Sequence, residues 1–379
     1  MPLLLNDEQT MLRDTARGFL AENGPVAQLR ALRDRRDADG FSRELWKGFA
    51  EMGFTGILTP EAHGGLGLGH VEAGVVMEEI GRNLTPSPFL STALLAVTAL
   101  VRGGSEAHKA EHLPAIVAGE RLFALAVDEH AKHGPAKTEL RAERSGNGFR
   151  LNGTKTFVVD GHVADRLIVA ARTAGAPGEI DGLTLFLVDP KAAGVATERT
   201  QMVDSHNAAR LAFADVEVDA DAVLGEVDGG WGLLESVLNV GRAAVAAEMT
   251  GAGEEAFGRT LSYLKERKQF SKAVGEFQAL QHRCAHLYTE LEITRSAVLK
   301  ALQTLDEQFD AAAPIVAVAK ARAGTTATLA AQEAVQMHGG VGMTDEFDIG
   351  FFMKRVRVAQ ELFGDDAFHA DRLAKLGGY

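Results

Sequence analysis

Arg267-Lys-Gln-Phe270 and Gln336-Met-His-Gly-Gly-Val-Gly342 each stand at the end of a long helical pattern. The first motif follows the Ala-rich residues 231–265. The second ends a pattern that opens at Pro314, where the missing N–H of proline costs a helix little. The last third of the chain is therefore predicted to be helical, with a distinctive motif after each of these two helices.

Two more helical patterns accompany these motifs, over residues 277–306 and 349–362. Four long helices joined by short connections predict an antiparallel four-helix bundle. We assign this bundle to residues 228–379.

The N-terminal part, residues 1–119, also has a helical period. A first helix can be capped by Asn6 or by Asp7, because both side chains accept hydrogen bonds from free N–H groups. Further helices are predicted near residues 43–52 and 71–81. This part is expected to form an all-α domain.

Between the two helical parts, residues 120–227 change to a period of two. Phe149-Arg-Leu-Asn-Gly-Thr-Lys155 alternates and contains an Asn-Gly pair, which predicts a turn. Short apolar or alternating runs follow at residues 167–171, 183–188 and 211–218. A β-barrel or sandwich is the expected result, so the predicted fold class is α+β.

The composition is that of a globular protein with an acidic balance. A chain of 379 residues predicts two or three domains. The formal net charge of -13 repels a phosphate backbone and excludes a nucleic-acid partner. A single cysteine, Cys284, argues against a disulfide or a cysteine-cluster metal site, and we predict no metal. With neither a secretory signal nor an apolar run of about 18 residues, we expect a cytoplasmic protein that does not contact the membrane.

The two motifs contain groups that suit a dinucleotide. Arg267 carries a guanidinium, which binds phosphate oxygens in a two-pronged geometry. Gly339, Gly340 and Gly342 close a helix and leave backbone N–H groups bare, which suits an adenosine or phosphate group. A helix C-cap needs only one glycine. Three glycines in four positions therefore favour a ligand over a simple cap.

Together these motifs resemble those of the acyl-CoA dehydrogenase family, with Glu276-Phe-Gln278 following the arginine at the family's spacing. The run Pro60-Glu-Ala-His-Gly-Gly-Leu-Gly67 is similar to one in the family's N-terminal domain. The resemblance implies an FAD cofactor and an acyl-CoA thioester substrate. It also implies a half-site, which one subunit offers to the flavin held by its neighbour, so a dimer or tetramer is expected. The half-site residues are Arg267, Phe270, Gln278, Gln336, Gly339 and Gly340.

The resemblance places three more flavin positions in the middle domain, at Val127, Phe157 and Val159. The family's Thr/Ser-Glu-Pro-x-x-Gly-Ser-Asp loop corresponds to Val127-Asp-Glu-His130 and the residues after it, which lack Gly-Ser-Asp. The family's Trp-Ile-Thr/Ser strand corresponds to Phe157-Val-Val159, and valine has no hydroxyl to donate. This part is expected to keep its shape and to lack hydrogen-bond donors.

The glutamate that removes the substrate's α-proton is missing at both of its positions in the family. The first position corresponds to Phe363, and the second, just before the substrate-binding arginine matched by Arg242, is Gly241. Replacing a positioned base typically costs about 10²–10⁴ in rate. Glu248 and Glu361 lie near these positions in the sequence, but we expect both to be structural. The catalytic residue is thus left unknown.

Three hypotheses account for a chain that keeps the cofactor motifs and lacks the base. The favoured one is a subunit that contributes its half-site to a heteromeric, FAD-dependent acyl-CoA dehydrogenase acting on fatty or steroid-type thioesters. The second is a self-sufficient homomeric acyl-CoA dehydrogenase with a relocated base. The third, from another reaction class, is a flavin oxygenase or oxidase on the same fold. A purely structural protein, with affinity for neither FAD nor CoA, is the non-enzymatic alternative.

Overall fold

The computed structural model describes residues 2–379 and divides into two compact units. The first unit comprises residues 2–31, His70–Pro86 and Arg242–Tyr379. The second comprises Leu32–Gly69 and Ser87–Gly241. The division into domains at residues 119 and 227 remains a prediction.

The helices, in chain order, are α1 (Asp7–Asn23), α2 (Val26–Asp34), α3 (Arg43–Glu51), α4 (His70–Asn83), α5 (Val97–Gly103), α6 (Glu106–Val117), α7 (Trp231–Glu266), α8 (Gln278–Glu307), α9 (Ala313–His338), α10 (Ile349–Glu361) and α11 (Asp366–Leu376). The strands are β1 (Phe123–Ala126), β2 (Arg141–Ser145), β3 (Gly148–Val159), β4 (Arg166–Arg172), β5 (Leu183–Val188), β6 (Val195–Gln201), β7 (Asn207–Val218), β8 (Val223–Leu224), β9 (Lys268–Gln269) and β10 (Lys272–Ala273). A π-helical segment, Phe89–Ala96, directly precedes α5.

Asn6 caps the first helix. Its side-chain oxygen accepts the N–H of Gln9 at 2.8 Å, and the Gln9 side chain accepts the N–H of Asn6 at 3.0 Å. This reciprocal pair satisfies two N–H groups that lack helical partners. Of the two capping candidates, the structure therefore selects Asn6. The helices expected at residues 43–52 and 71–81 correspond to α3 and α4.

In the first unit, α9 packs against α8, α10 and α11. The helices expected over residues 231–265, 277–306, 314–337 and 349–362 correspond to α7, α8, α9 and α10. The sequence pattern did not single out α11, which begins after Gly364. Asp365 caps it by accepting the N–H of Phe368 at 2.9 Å.

Two glycines bring α4 and α7 into backbone contact within the first unit. A Cβ atom at Gly81 would lie 1.9 Å from the carbonyl oxygen of Glu248, and one at Gly251 would lie 1.8 Å from that of Glu78. Both separations are far below van der Waals contact. Only residues without a side chain allow this approach, so α4 is fixed on the bundle by backbone geometry.

The second unit is built on one eight-stranded sheet. Seven of its strands have the order β6-β7-β3-β2-β4-β5-β8, and the eighth, β1, pairs in parallel with β4. Most of the remaining pairs are antiparallel. Buried apolar side chains of these strands form one cluster, in which the rings of Phe149 and Phe186 meet edge to face with centroids 5.1 Å apart.

The predicted turn at Asn152-Gly153 is wrong. Both residues lie inside β3, and the hairpin to β2 turns between Ser145 and Gly148 instead. Asn152 exchanges two hydrogen bonds with Asp215 of β7, at 2.9 and 3.2 Å, while Gly153 adopts a φ of +144° at a register shift. The Asn-Gly pair thus forms a β-bulge, which has the same need for a flexible glycine as a turn does.

The observed elements confirm the predicted α+β class, with helical N-terminal and C-terminal parts around a β-sheet domain. Among residues 2–379, no helix combines the length and hydropathy required to cross a bilayer.

Candidate functional site

Three helix ends of the first unit meet at one place. The ring of Tyr263, in the last turn of α7, stacks on the ring of His338 at the end of α9, with centroids 4.5 Å apart. Near the start of α8, Cys284 Sγ lies 3.8 Å from Met337 Sδ. The backbone N–H of Arg267 donates to the carbonyl of Tyr263 at 2.8 Å. The two sequence motifs are therefore brought together at this end of the bundle, which we call the exposed end.

The exposed end presents all six half-site residues to solvent. Five of them lie on helix termini or the glycine turn, and one lies in the β9–β10 hairpin. The exposed residues are Arg267, Phe270, Gln278, Gln336, Gly339 and Gly340. A second chain could reach every one of them.

Phe270 has an unusual conformation at the tip of the β9–β10 hairpin. Gln269 pairs with Lys272, so Phe270 and Ser271 are the two turn residues, with φ values of +53° and +66°. Such turns favour Asn and Gly, because left-handed backbone is strained for bulky side chains. The Phe270 side chain is nevertheless 87% exposed. A strained turn that holds a large apolar ring in solvent indicates a binding role for that ring.

The charges and open space at this end suit a dinucleotide such as FAD. Lys265, Lys268 and Lys272 surround Arg267 within eight residues of a chain whose net charge is -13. Cations concentrated in this way attract phosphate oxygens. A Cβ atom on Gly339 or Gly340 would meet no atom within 4 Å, so both backbones border open space. These residues fit the phosphate and adenosine parts of the cofactor.

Contacts between aromatic rings support the exposed end. Phe347 meets the rings of Tyr263 and His338 edge to face, at 6.2 and 5.8 Å. Burial lowers the pKa of His338, whose Nδ1 lies 2.7 Å from the carbonyl oxygen of Ala334. The imidazole is therefore neutral at physiological pH and acts in packing.

An ion pair supports the segment that follows the glycine turn. Arg259, two turns before Arg267 on α7, donates to Asp348 at 3.0 Å. Arg30 donates to the other oxygen of Asp348 at 2.9 Å. The start of α10 is thus fixed to the helix that carries the motif arginine.

The first position expected to carry a base has no ionisable group. Phe363 is 7% exposed and has a φ of +59°. Its carbonyl oxygen accepts from Nε of Arg242 at 3.3 Å. The Arg242 side chain is fully buried, and its predicted contact with substrate remains a prediction. Gly241, at the second expected position, directly precedes this arginine.

The nearby carboxylates are engaged in ion pairs. Glu248 accepts from Arg355 through both of its oxygens, at 2.6 and 2.9 Å, in a buried pair. Glu361 lies 3.0 Å from Arg357, one turn earlier on α10. Removing a proton from substrate would require either carboxylate to leave its arginine. These contacts are those of structural residues.

In the second unit, the three predicted flavin positions lie near one another. The N–H of Thr156 donates to the carbonyl of Asp128 at 2.7 Å, which joins β3 to the segment after Val127. Val127 is buried, whereas Phe157 is 54% exposed at a register shift in β3. Val159 ends that strand. These residues offer apolar shape and, as side chains, no hydrogen-bond donor.

Buried charges fix the loop that follows Val127. Nζ of Lys155 donates to the carbonyl of Val127 at 2.8 Å and to Glu129 at 2.6 Å. Burial lowers the pKa of Lys155, and Glu129 opposes that effect. Burial, the largest single influence, raises the pKa of Asp128, but the hydrogen bond and charge of His133, the N–H of Gly134 and the charge of Lys155 together hold that pKa below its ordinary value. The loop therefore has a rigid charged framework in place of the family's Gly-Ser-Asp.

Three phenylalanines have left-handed backbone, and all three are site positions predicted from the sequence. They are Phe157, Phe270 and Phe363, with φ values of +51°, +53° and +59°. This conformation is rare for bulky residues and tends to persist where function requires it. The coincidence supports a functional role for each of these positions.

Sequence reasoning missed the residues that support the site. Tyr263 and His338 are helix residues beside the motifs, and their stacking could not be read from spacing. Lys320 is fully buried in α9, where it donates to backbone carbonyls. Its signal was a single lysine in the run Val316-Ala-Val-Ala-Lys320, which is otherwise apolar.

Comparison with known proteins agrees with this geometry. Family models match residues 6–120, 131–216 and 228–377, as the acyl-CoA dehydrogenase N-terminal, middle and C-terminal domains. The mitochondrial isovaleryl-CoA dehydrogenase of Pongo abelii is 33% identical over 363 residues, which cover 93% of this chain and 85% of that protein.

Two solved structures share the whole fold. A variant of the Tcur3481-Tcur3483 steroid ACAD is 30% identical, with 98% of each chain covered and a TM-score of 0.88. The ChsE4-ChsE5 complex from Mycobacterium tuberculosis is 26% identical, with 100% of this chain and 99% of that chain covered and a TM-score of 0.90. These matches confirm the predicted family, its flavin cofactor and its oxidoreductase class. The chain belongs to the acyl-CoA dehydrogenase family, whose members are FAD-dependent flavoproteins that act on CH–CH groups.

Proposed function

We propose that this chain is a subunit of a heteromeric acyl-CoA dehydrogenase, in which it contributes the half-site and a partner chain contributes the base. The reaction would be α,β-dehydrogenation of a CoA thioester. A carboxylate of the partner would take the α-proton, and FAD, when bound, would accept the β-hydride.

One observation carries this proposal: every residue that we assign to the half-site is exposed, whereas the expected base position holds a buried phenylalanine. Arg267 and the glycine turn are accessible to a neighbouring molecule. Phe363 can neither accept nor hold a proton. A homomeric enzyme would need both a half-site and a catalytic base in the same chain.

FAD supplies the hydride acceptor when it is bound. Arg267 would bind its pyrophosphate, Phe270 would pack on its rings, and the backbone of Gly339 and Gly340 would border the adenosine part. Gln278 and Gln336 have side-chain amides that can donate to polar cofactor atoms. In the second unit, Val127, Phe157 and Val159 would contact a flavin by shape alone.

Two structural neighbours support a heteromer. The Tcur3481-Tcur3483 steroid ACAD and the ChsE4-ChsE5 complex from Mycobacterium tuberculosis are each named for two chains. By analogy, we propose that the partner is another acyl-CoA dehydrogenase chain and that a bulky thioester is the substrate class.

The proposal is tested by purifying the chain alone and together with candidate partner dehydrogenases encoded beside it. Bound flavin and the oxidation of acyl-CoA by a dye acceptor are measured in each sample. We expect oxidation only in the presence of a partner. Full oxidation by the lone chain would instead support the homomeric enzyme with a relocated base.

A further variant separates the two contributions within the complex. Arg267→Ala in this chain should lower bound flavin, whereas substituting the partner's own catalytic carboxylate should remove oxidation and leave flavin in place. If Arg267→Ala leaves the flavin content unchanged, this chain does not provide the half-site.

A further inference from the structure

The turn that carries Phe363 has an unusual backbone. The last two residues of α10 and the connection to α11 form residues 360–365, in which Phe363 and Gly364 follow one another with φ values of +59° and +105°. Two consecutive left-handed residues, one of them bulky, are strained and persist only where surrounding groups hold them. We call this segment the Phe363 turn.

Two buried cations from other helices hold the Phe363 turn by its carbonyl groups. Nζ of Lys320, on α9, donates to the carbonyls of Gln360 at 3.0 Å and Gly364 at 2.9 Å. Nε of Arg242, on α7, donates to the carbonyl of Phe363 at 3.3 Å. Both cationic side chains are at most 1% exposed. Three carbonyl groups of this short turn are thus occupied by donors that reach it from outside.

The amine of Lys320 suits this task because its donors match the acceptors. Burial, followed by the charge of Arg242, lowers the pKa of Lys320 to about 7, while Asp365, Glu361 and Asp366 oppose the shift. A neutral amine has two N–H groups, the same number as the carbonyls it contacts. Lys320 can therefore donate both hydrogen bonds to the turn whether its amine is protonated or neutral.

We propose that Lys320, acting with Arg242, is a positioning residue that holds the Phe363 turn in its left-handed conformation and thereby sets where side chain 363 stands toward the acyl-CoA. The part of this proposal that concerns acyl-CoA rests on the proposed function. The part that concerns the turn depends only on the observed contacts.

Hydrogen exchange tests the turn directly. Lys320→Met keeps the length of the side chain and removes its donors, whereas Lys320→Gln keeps two N–H groups. Lys300→Met, at a partly exposed lysine of α8, is the control. Amide exchange is followed by mass spectrometry in peptides that cover residues 360–366 and, for comparison, residues 263–278 and 336–343.

We expect Lys320→Met to speed exchange in residues 360–366 by about tenfold, which lies within the range expected for losing two hydrogen bonds. Lys320→Gln should recover part of the protection, and the two comparison regions should not change. Unchanged exchange in 360–366 would overturn the proposal. Faster exchange throughout the first unit would overturn it as well, because Lys320 would then stabilise the bundle as a whole.

A second measurement tests the acyl-CoA part. The FAD-loaded assembly is titrated with hexanoyl-CoA, and its flavin content is measured in the same sample. Lys320→Met should weaken hexanoyl-CoA binding by about tenfold at constant flavin content, and Lys320→Gln should restore part of it. Wild-type affinity in Lys320→Met overturns this part. If the unchanged protein binds neither hexanoyl-CoA nor a steroid-type CoA thioester, the proposed function fails, and the exchange experiment still decides the role of Lys320.

Discussion

The exposed end and the Phe363 turn belong to the same compact unit, yet they treat their functional groups in opposite ways. At the exposed end, a guanidinium, a phenyl ring and a glycine turn face solvent, and the packed aromatic rings lie beneath them. At the Phe363 turn, the cations are buried and donate to backbone carbonyls. The side chain at position 363, where a base is expected, is apolar. The exposed end is arranged to bind a molecule outside the chain. The Phe363 turn has a backbone fixed by hydrogen bonds and no acid or base at position 363.

The largest expected effect comes from placing a carboxylate on the Phe363 turn. Because the turn is already held, Phe363→Glu should increase the exchange of the α-proton of a bound acyl-CoA with solvent deuterium by about 10²-fold or more. Leu362→Glu, one residue earlier, is the matched control and should have no such effect. Equal exchange rates in Phe363→Glu and the unchanged protein would show that the turn does not face the substrate.

The next effect sharpens the role of the exposed end. Arg267→Ala should weaken FAD binding by about tenfold to a hundredfold, which corresponds to a charge-assisted hydrogen bond of about 1.5–3 kcal/mol. The FAD affinity of Arg267→Lys should fall between those of the unchanged protein and Arg267→Ala, because an ammonium lacks the two-pronged geometry of a guanidinium. Fluorescence titration of the assembled protein with FAD measures this. Arg283→Ala, at an arginine paired with Glu333 on α8 and α9, should keep normal affinity.

A pH series tests the burial of Lys320. Its pKa in the folded protein, about 7, lies below the ordinary lysine pKa of 10.5, so the unfolded chain binds more protons between these pH values. The free energy of unfolding of the unchanged protein should therefore gain about 1.4 kcal/mol per pH unit from this group between pH 7 and 10.5. Lys320→Met lacks that contribution. Urea unfolding at pH 7, 8 and 9 should show the difference widening with pH, and parallel curves would contradict the assignment.

The smallest expected effect concerns the rings beneath the exposed end. Tyr263→Leu removes the stack on His338 and should cost about 1 kcal/mol of stability and weaken FAD binding a few-fold. Tyr263→Phe keeps the ring and should behave like the unchanged protein. Tyr288→Leu, at an exposed position of α8, controls for loss of a tyrosine. Similar FAD affinities in Tyr263→Leu and Tyr288→Leu would show that the stack does not position the half-site.

Much of the fold followed from the sequence because its signals are local. Helical period and capping residues lie within a few residues of the helices they predict, and α7 to α10 appear where expected. The prediction at Asn152-Gly153 failed for a physical reason. A left-handed or extended glycine serves a turn and a β-bulge equally well, and the choice depends on pairing with β7, which is distant in sequence.

The candidate site divides along the same line. Motif residues such as Arg267 and Phe363 could be identified from the resemblance. The exposure of Arg267 and the left-handed backbone of Phe363 could not be predicted in this way. Lys320 stands alone in an apolar run but was missed, because buried lysines are rare and only the fold shows the carbonyls that accept its hydrogen bonds. Contacts between helices far apart in sequence are what local patterns omit.

The most direct test of the account is the flavin absorption spectrum, recorded before and after addition of acyl-CoA, for the isolated chain and for the chain with its partner. The account predicts that the flavin band bleaches only when the partner is present, because the partner supplies the base. Bleaching of flavin bound to the isolated chain would contradict the claim that this chain contributes its half-site to a partner subunit and lacks a catalytic base of its own.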